Sequence, residues 1–337
     1  MTKDNQAARI PALDFTKGAL VLIMVLYHWI NYFYGPSDNR YLRFLTPSFI
    51  FITGFLISNV YFSRHGVSAP HLPKRLLHRG LKVLAIFALL NIGRNLLMQG
   101  GSLGHVLTTP WSNSDFIDAY LTGSGAGDGQ TKTVAFFVLV PISYLLILSA
   151  ILVFPARFYR YTFHLVCLLC LLGVLALDLI GLHTYLDLLT IGLIGVIAGY
   201  LPMDRVNSLV RHPYLLVFAY LAYLGAITIW DVIYPLQVVG VCLSLMIIYF
   251  WGLQGGGLAK VRACVVLLGK YSLIGYIAQI AILQFLRLGF GHIGLEGIAL
   301  GLSFILAILL TIASVSIVDR TRAQSTTIDR LYRAVFA

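Results

Sequence analysis

Thr133–Phe154 reads TVAFFVLVPISYLLILSAILVF, 22 residues without a charged side chain, preceded by Lys132 and followed at a short distance by Arg157. As an α-helix this run is about 33 Å long, enough to cross a hydrocarbon core of ~30 Å. Runs of the same kind recur along the chain, at 13–34, 46–62, 81–98, 163–182, 185–202, 214–230, 234–252, 264–286 and 297–318. The expected fold is therefore an all-α polytopic integral membrane protein of about ten transmembrane helices. Its 337 residues form one transmembrane domain, with short tails at about 1–12 and 319–337.

Composition excludes the other classes. AVILMFWYC make up 59% of the chain and charged residues only 11%, with a mean hydropathy of +0.86. Soluble domains carry about a quarter charged residues, and disorder requires low hydrophobicity. The net charge of +11 would suit nucleic acid, but the basic residues sit at the ends of apolar runs and not along a groove of stacking aromatics. With the N-terminus cytoplasmic, 17 of the 24 lysines and arginines fall on that side and 4 on the other. The positive-inside rule then places both termini in the cytoplasm of a multi-pass protein of the inner or plasma membrane. The segment after Ile10 resembles a signal peptide, but its run is too long and reads as an uncleaved first helix. Cys167-x-x-Cys170 lies within a span, where small buried hydrophobes are expected rather than a redox pair. The glycine-rich stretch Gly123–Gly129 lacks the strand and helix of a phosphate loop and reads as a linker.

Ionisable groups inside the bilayer cost several kcal/mol, so each needs a partner or a task. His28 is the one histidine well inside a span, and Lys17 lies 11 residues earlier on the same helix. Eleven residues overshoot three turns by only about 20°, so the two share a face about 16 Å apart along the axis. Asp14, three residues before Lys17, is placed to pair with it. The plain alternative is an interfacial ion pair with a snorkelling lysine, and for His28 an interhelical hydrogen bond. Asn91, Arg94 and Asn95 form a second polar face, and Ser272, Tyr276 and Gln279 a third, with Lys270 on the cytoplasmic side. Lys74-Arg-Leu-Leu-His-Arg79 is a basic cluster suited to lipid headgroups or to a polyanionic ligand. At the outer rim, Asp178, His183, Asp187, Asp231, His292 and Glu296 are ordinary loop-end polar residues or the mouth of a sugar site. Trp29, Tyr32, Tyr34, Trp111, Trp230 and Tyr234 fit an interfacial aromatic belt.

Arg9-Ile-Pro-Ala-Leu-Asp14-Phe-Thr-Lys17-Gly18, ten further residues to His28, and then Trp29 resemble the opening of the acyltransferase-3 family, part of a wider transmembrane acyltransferase superfamily. Ser48-Phe-Ile-Phe-Ile-Thr53-Gly54-Phe-Leu, the basic approach to the third helix with Arg75 and Arg79, and Leu268-Gly-Lys-Tyr-Ser272-Leu-Ile-Gly-Tyr276 are similar to later landmarks of that family. Lys17 stands where arginine is commoner, Thr53 where serine is usual, and Gln279 where histidine is frequent. The resemblance implies acyl-CoA as cytoplasmic donor, acetyl-CoA first among them, and a carbohydrate or other hydroxyl compound of the cell envelope as acceptor. His28 would be the general base, with an acyl-histidine intermediate as a variant. Asp14 would orient Lys17. Arg94 and Asn95 would stabilise the oxyanion. Lys17, Arg75, Arg79 and Lys270 would hold the donor phosphates, and Asn91, Ser272, Tyr276 and Gln279 would bind the acceptor. No metal and no nucleic acid are expected; membrane lipids are expected partners, and a homo-oligomer stays open. The competing class is a secondary transporter that relays through His28, Arg94 and Asp187. A non-catalytic lipid-binding or assembly subunit is a third.

Overall fold

The computed structural model describes residues 10–35, 40–99, 135–180, 185–230, 232–254, 259–290 and 298–336. Among them every regular element is helical, as a chain in hydrocarbon requires, because a helix satisfies its backbone groups internally. The helices are α1 (Pro11–Phe33), α2 (Leu45–Leu56), α3 (Leu72–Gln99), α4 (Leu139–Ala156), α5 (Thr162–Leu179), α6 (Leu186–Ala198), α7 (Met203–Leu209), α8 (Pro213–Ile229), α9 (Tyr234–Leu253), α10 (Ala259–Lys270), α11 (Ser272–Phe290), α12 (Ile298–Gln324) and α13 (Thr326–Phe336). A π-helical segment, Ile57–Phe62, extends α2.

Among the described residues eight helices are long and apolar enough to cross a membrane, or nine if the broken pair α6 and α7 is one span. The architecture is that of a polytopic membrane protein. Against the expected count of about ten, the run at 214–230 forms α8, a shorter apolar helix of 17 residues that is not among these eight or nine. The run at 264–286 divides as well. Helix α10 ends at Lys270 and α11 begins at Ser272, with Tyr271 between them, although Tyr271 N–H still donates to Leu267 O and Gly275 N–H to Tyr271 O. The expected C-terminal tail is helical: α12 continues to Gln324 and α13 follows at once.

The chain forms two compact units, Met1–Ser48 with Asp204–Ala337, and Phe49–Met203. In the first, α1 is the centre, packed against α9, α10, α11 and α12. Pro11 occupies its first turn, where the missing N–H is no loss. Its crossing with α10 is a backbone contact. A β-carbon on Gly18 would overlap the carbonyl of Val265, and one on Gly269 the carbonyl of Asp14. Such small-residue crossings replace the hydrophobic effect as the source of cohesion in lipid.

In the second unit α3 lies along α4, and α6 packs on α4, on α5 and on the π-helical segment. Gly54 of α2 meets the backbone of Gly192, and Gly195 and Gly199 meet Phe51 and Phe55. Ser58 Oγ donates to Val196 O at 2.6 Å across this contact. Helix α5 turns most of its leucines outward, with Leu165, Leu168, Leu169 and Leu172 all exposed. Such an apolar surface belongs against acyl chains.

Candidate functional site

In the unit built on α1, the first turn supplies the charges. Asp14 is buried, and Lys17 Nζ contacts its Oδ1 at 2.6 Å. The backbone of Asp14 is fixed by Gly269, so the ion pair is seated on the α1–α10 crossing. Thr16 returns its hydroxyl to Ala12 O at 2.8 Å. The carboxylate at the N-terminal end also complements the helix dipole.

Eleven residues along the same face, His28 is half-buried, with Nε2 shielded from solvent. Its ring lies 5.3 Å from that of Tyr27 and 6.2 Å from that of Tyr276 on α11. Tyr276 is buried, and Gln279 lies one turn beyond it. Gln279 is 0% exposed, and neither its Nε2 nor its Oε1 has a hydrogen-bond partner. An unsatisfied amide in an apolar interior costs about 1–3 kcal/mol. Its level in the bundle follows from its neighbours: Gly275 faces Val21 and Val315, while Leu283 shares a core with Val25, Trp29 and Ala307. Gln279 therefore sits between α1 and α12 near the height of Thr311, which is also fully buried. Ser272 is half-buried on the same α11 face.

Towards the extracytoplasmic end expected for α1, Trp29 Nε1 donates to Ser303 Oγ at 2.9 Å and Gln284 Nε2 to Tyr32 OH at 3.1 Å. Trp29 is thus a core residue and not part of an interfacial belt; Tyr234 is buried as well. Tyr34 and Trp230 are exposed, as a belt demands.

Lys270 is exposed but already paired within the protein. Its Nζ lies 2.8 Å from Asp319 Oδ1 on α12. Tyr271 OH donates to the same oxygen at 2.6 Å and accepts from Arg322 Nη1 at 2.9 Å. Asp319 and Arg322 were not singled out from the sequence, because nothing local announces a pairing across 49 residues.

The remaining candidates belong to Phe49–Met203 and lie on α3. Arg75 and Arg79 are exposed one turn apart. Arg79 donates to Tyr61 OH and stands over that ring, 5.8 Å from its centre. Asn91 is fully buried and occupied. Its Nδ2 donates to Phe87 O and Ala135 O, both at 3.0 Å, and Oδ1 accepts from Ala135 N at 2.8 Å. It braces the chain leading into α4. Arg94 is half-buried, with Nε shielded from solvent. From Arg79 to Arg94 the helix rises about 22 Å, so these guanidiniums do not converge on one headgroup. The Asn95 side chain, the stretch 123–129, Trp111, His183, Asp231, His292 and Glu296 lie outside the described residues.

The structure thus gathers Asp14, Lys17, His28, Ser272, Tyr276 and Gln279 in one unit, and Arg75, Arg79, Asn91 and Arg94 in the other. All four cysteines are free. Among the described residues no group of three or more metal-ligating side chains occurs. The chain matches no family model, no curated protein and no solved structure.

Proposed function

We propose that this protein is a membrane-embedded O-acyltransferase that moves an acyl group, acetyl above all, from acyl-CoA to a hydroxyl of a carbohydrate or related envelope compound. One observation carries the reading. An ion pair of buried Asp14 with half-buried Lys17, and a half-buried imidazole, lie on one face of α1, Lys17 and His28 about 16 Å apart along its axis. That spacing is of the order of the reach of a pantetheine arm from its phosphates to its thioester.

In this reading Lys17, oriented by Asp14, holds donor phosphate by charge-assisted hydrogen bonds. His28 takes the proton of the acceptor hydroxyl as that oxygen attacks the thioester carbonyl; the C–S bond then breaks and the imidazolium returns the proton to the thiolate. Tyr276 and Gln279 supply polar contacts for the acceptor beside the imidazole. Arg75 and Arg79, in the other unit, offer two exposed guanidiniums suited to phosphate. Asn91 is left with a bracing role, and Lys270 with its partner Asp319.

The test is equilibrium binding and slow hydrolysis of acetyl-CoA by the purified protein in detergent. Wild type binds and turns over. Lys17→Ala binds at least about tenfold more weakly, a loss of about 1.4 kcal/mol. His28→Ala binds normally without turnover. If wild type ignores both acetyl-CoA and longer acyl-CoAs, the donor assignment is wrong.

A further inference from the structure

Helix α12 passes as a span over Ala299–Gln324, and α13 starts two residues later, at the level where headgroups must lie. At 100° per residue, Ile328, Leu331 and Val335 fall within an arc of about 60°. They remain 41%, 64% and 37% exposed. Tyr332 and Asp329 lie on one flank of that arc, and both face the protein. The Tyr332 ring is 5.5 Å from that of Tyr271, and Arg322 stands 3.7 Å over it. Arg322 also donates to Asp329 Oδ1, from Nη2 at 2.5 Å and from Nε at 3.0 Å. On the other flank Arg330 is exposed, as is Arg320 at the end of α12. The helix therefore has one face locked to the bundle, one apolar face turned outward and one exposed arginine, Arg330, beside it.

We infer that α13 is an interfacial helix that seats Ile328, Leu331 and Val335 in the leaflet at the C-terminal end of α12, and that anionic headgroups hold it there through Arg320 and Arg330. Three features select lipid over protein as the occupant. The apolar arc continues from a membrane span without a spacer. Its three aliphatic side chains fall far short of the ~1,000 Å² that a specific protein interface buries. Its flanking charge is complementary to an anionic surface. Seated in this way, α13 fixes Arg322, and through it Tyr271, Asp319 and Lys270 at the break between α10 and α11. The inference does not depend on the acyltransferase reading.

Hydrogen exchange of the 326–336 segment tests it, using the full chain in nanodiscs of phosphatidylcholine with or without phosphatidylglycerol. Exchange is expected to slow about tenfold or more when the anionic lipid is present. Arg320→Gln with Arg330→Gln removes that difference, and Leu331→Asp removes protection in both discs, while exchange in α11 stays unchanged as a check on the fold. Equal exchange in both lipids that is insensitive to Leu331→Asp overturns the inference. So does protection that appears only in discs holding two copies of the chain, which would make a second copy the occupant.

Discussion

The backbone carbonyl of Asp14 rests against Gly269, in the space a β-carbon would fill. The ion pair with Lys17 therefore depends on a glycine in another helix, and the α1–α10 crossing positions the charges as well as joining the helices.

Gly269→Ala should force α1 and α10 apart. Both colliding partners are backbone, so the cost belongs at the upper end of the ~1–3 kcal/mol typical of overpacking. Thermal unfolding in detergent should show the loss together with weaker acetyl-CoA binding. Gly18→Ala, which meets Val265 O, should behave alike. Gly225→Ala, where a β-carbon meets nothing within 4 Å, should not.

Gln279→Met replaces an unpartnered amide by an apolar chain of similar length. Removing its desolvation penalty should stabilise the ligand-free protein by about 1–3 kcal/mol, read as a higher unfolding temperature. The same variant should lose acyl transfer if the amide meets the acceptor. A lower unfolding temperature would mean that Gln279 is satisfied in the folded protein.

Asn91→Leu strands the N–H and C=O of Ala135. A loss of about 1–3 kcal/mol for each buried group is expected, with acetyl-CoA affinity unchanged in the folded fraction. A selective loss of substrate affinity at unchanged stability would return Asn91 to the binding site.

The Arg322 guanidinium, with Arg333 beside it, holds the Asp329 carboxyl below the usual carboxylate range. A depressed value in the folded state means that the contribution is complete above the ordinary carboxylate pKa and fades as pH falls through the lowered one. Docking of α13, followed by exchange of 326–336 in phosphatidylcholine discs, should be constant from neutral pH down to that range and weaken below it. Asp329→Asn should lack this pH dependence.

The parts legible in the sequence are those that depend on spacing along one helix. The Asp14–Lys17 pair follows from an i, i+3 step, and the common face of Lys17 and His28 from an eleven-residue step. Partners in other helices were not legible. Hydropathy does not separate a lipid-facing side chain from a core-facing one, since both are apolar, so Trp29 reads as a belt residue although Ser303 holds it inside. The interruption at Tyr271 is hidden too, because Cys264–Leu268 before it and Leu273–Ile282 after it read as one apolar run broken only by scattered polar residues. Asp319 gains its meaning only when α12 is laid beside the α10–α11 break.

The position of α1 at the centre of its unit has a cost during biosynthesis. Its partner for Trp29 is made 274 residues later, which at ~5–20 residues per second is roughly 15–55 s of translation. Throughout that time a segment carrying Asp14, Lys17 and His28 must wait in or beside the insertion machinery without the glycines and hydroxyls that accommodate it. Among the described helices α1 thus waits for partners that all lie beyond residue 233, and a ribosome stalled before α9 would leave it exposed to quality control.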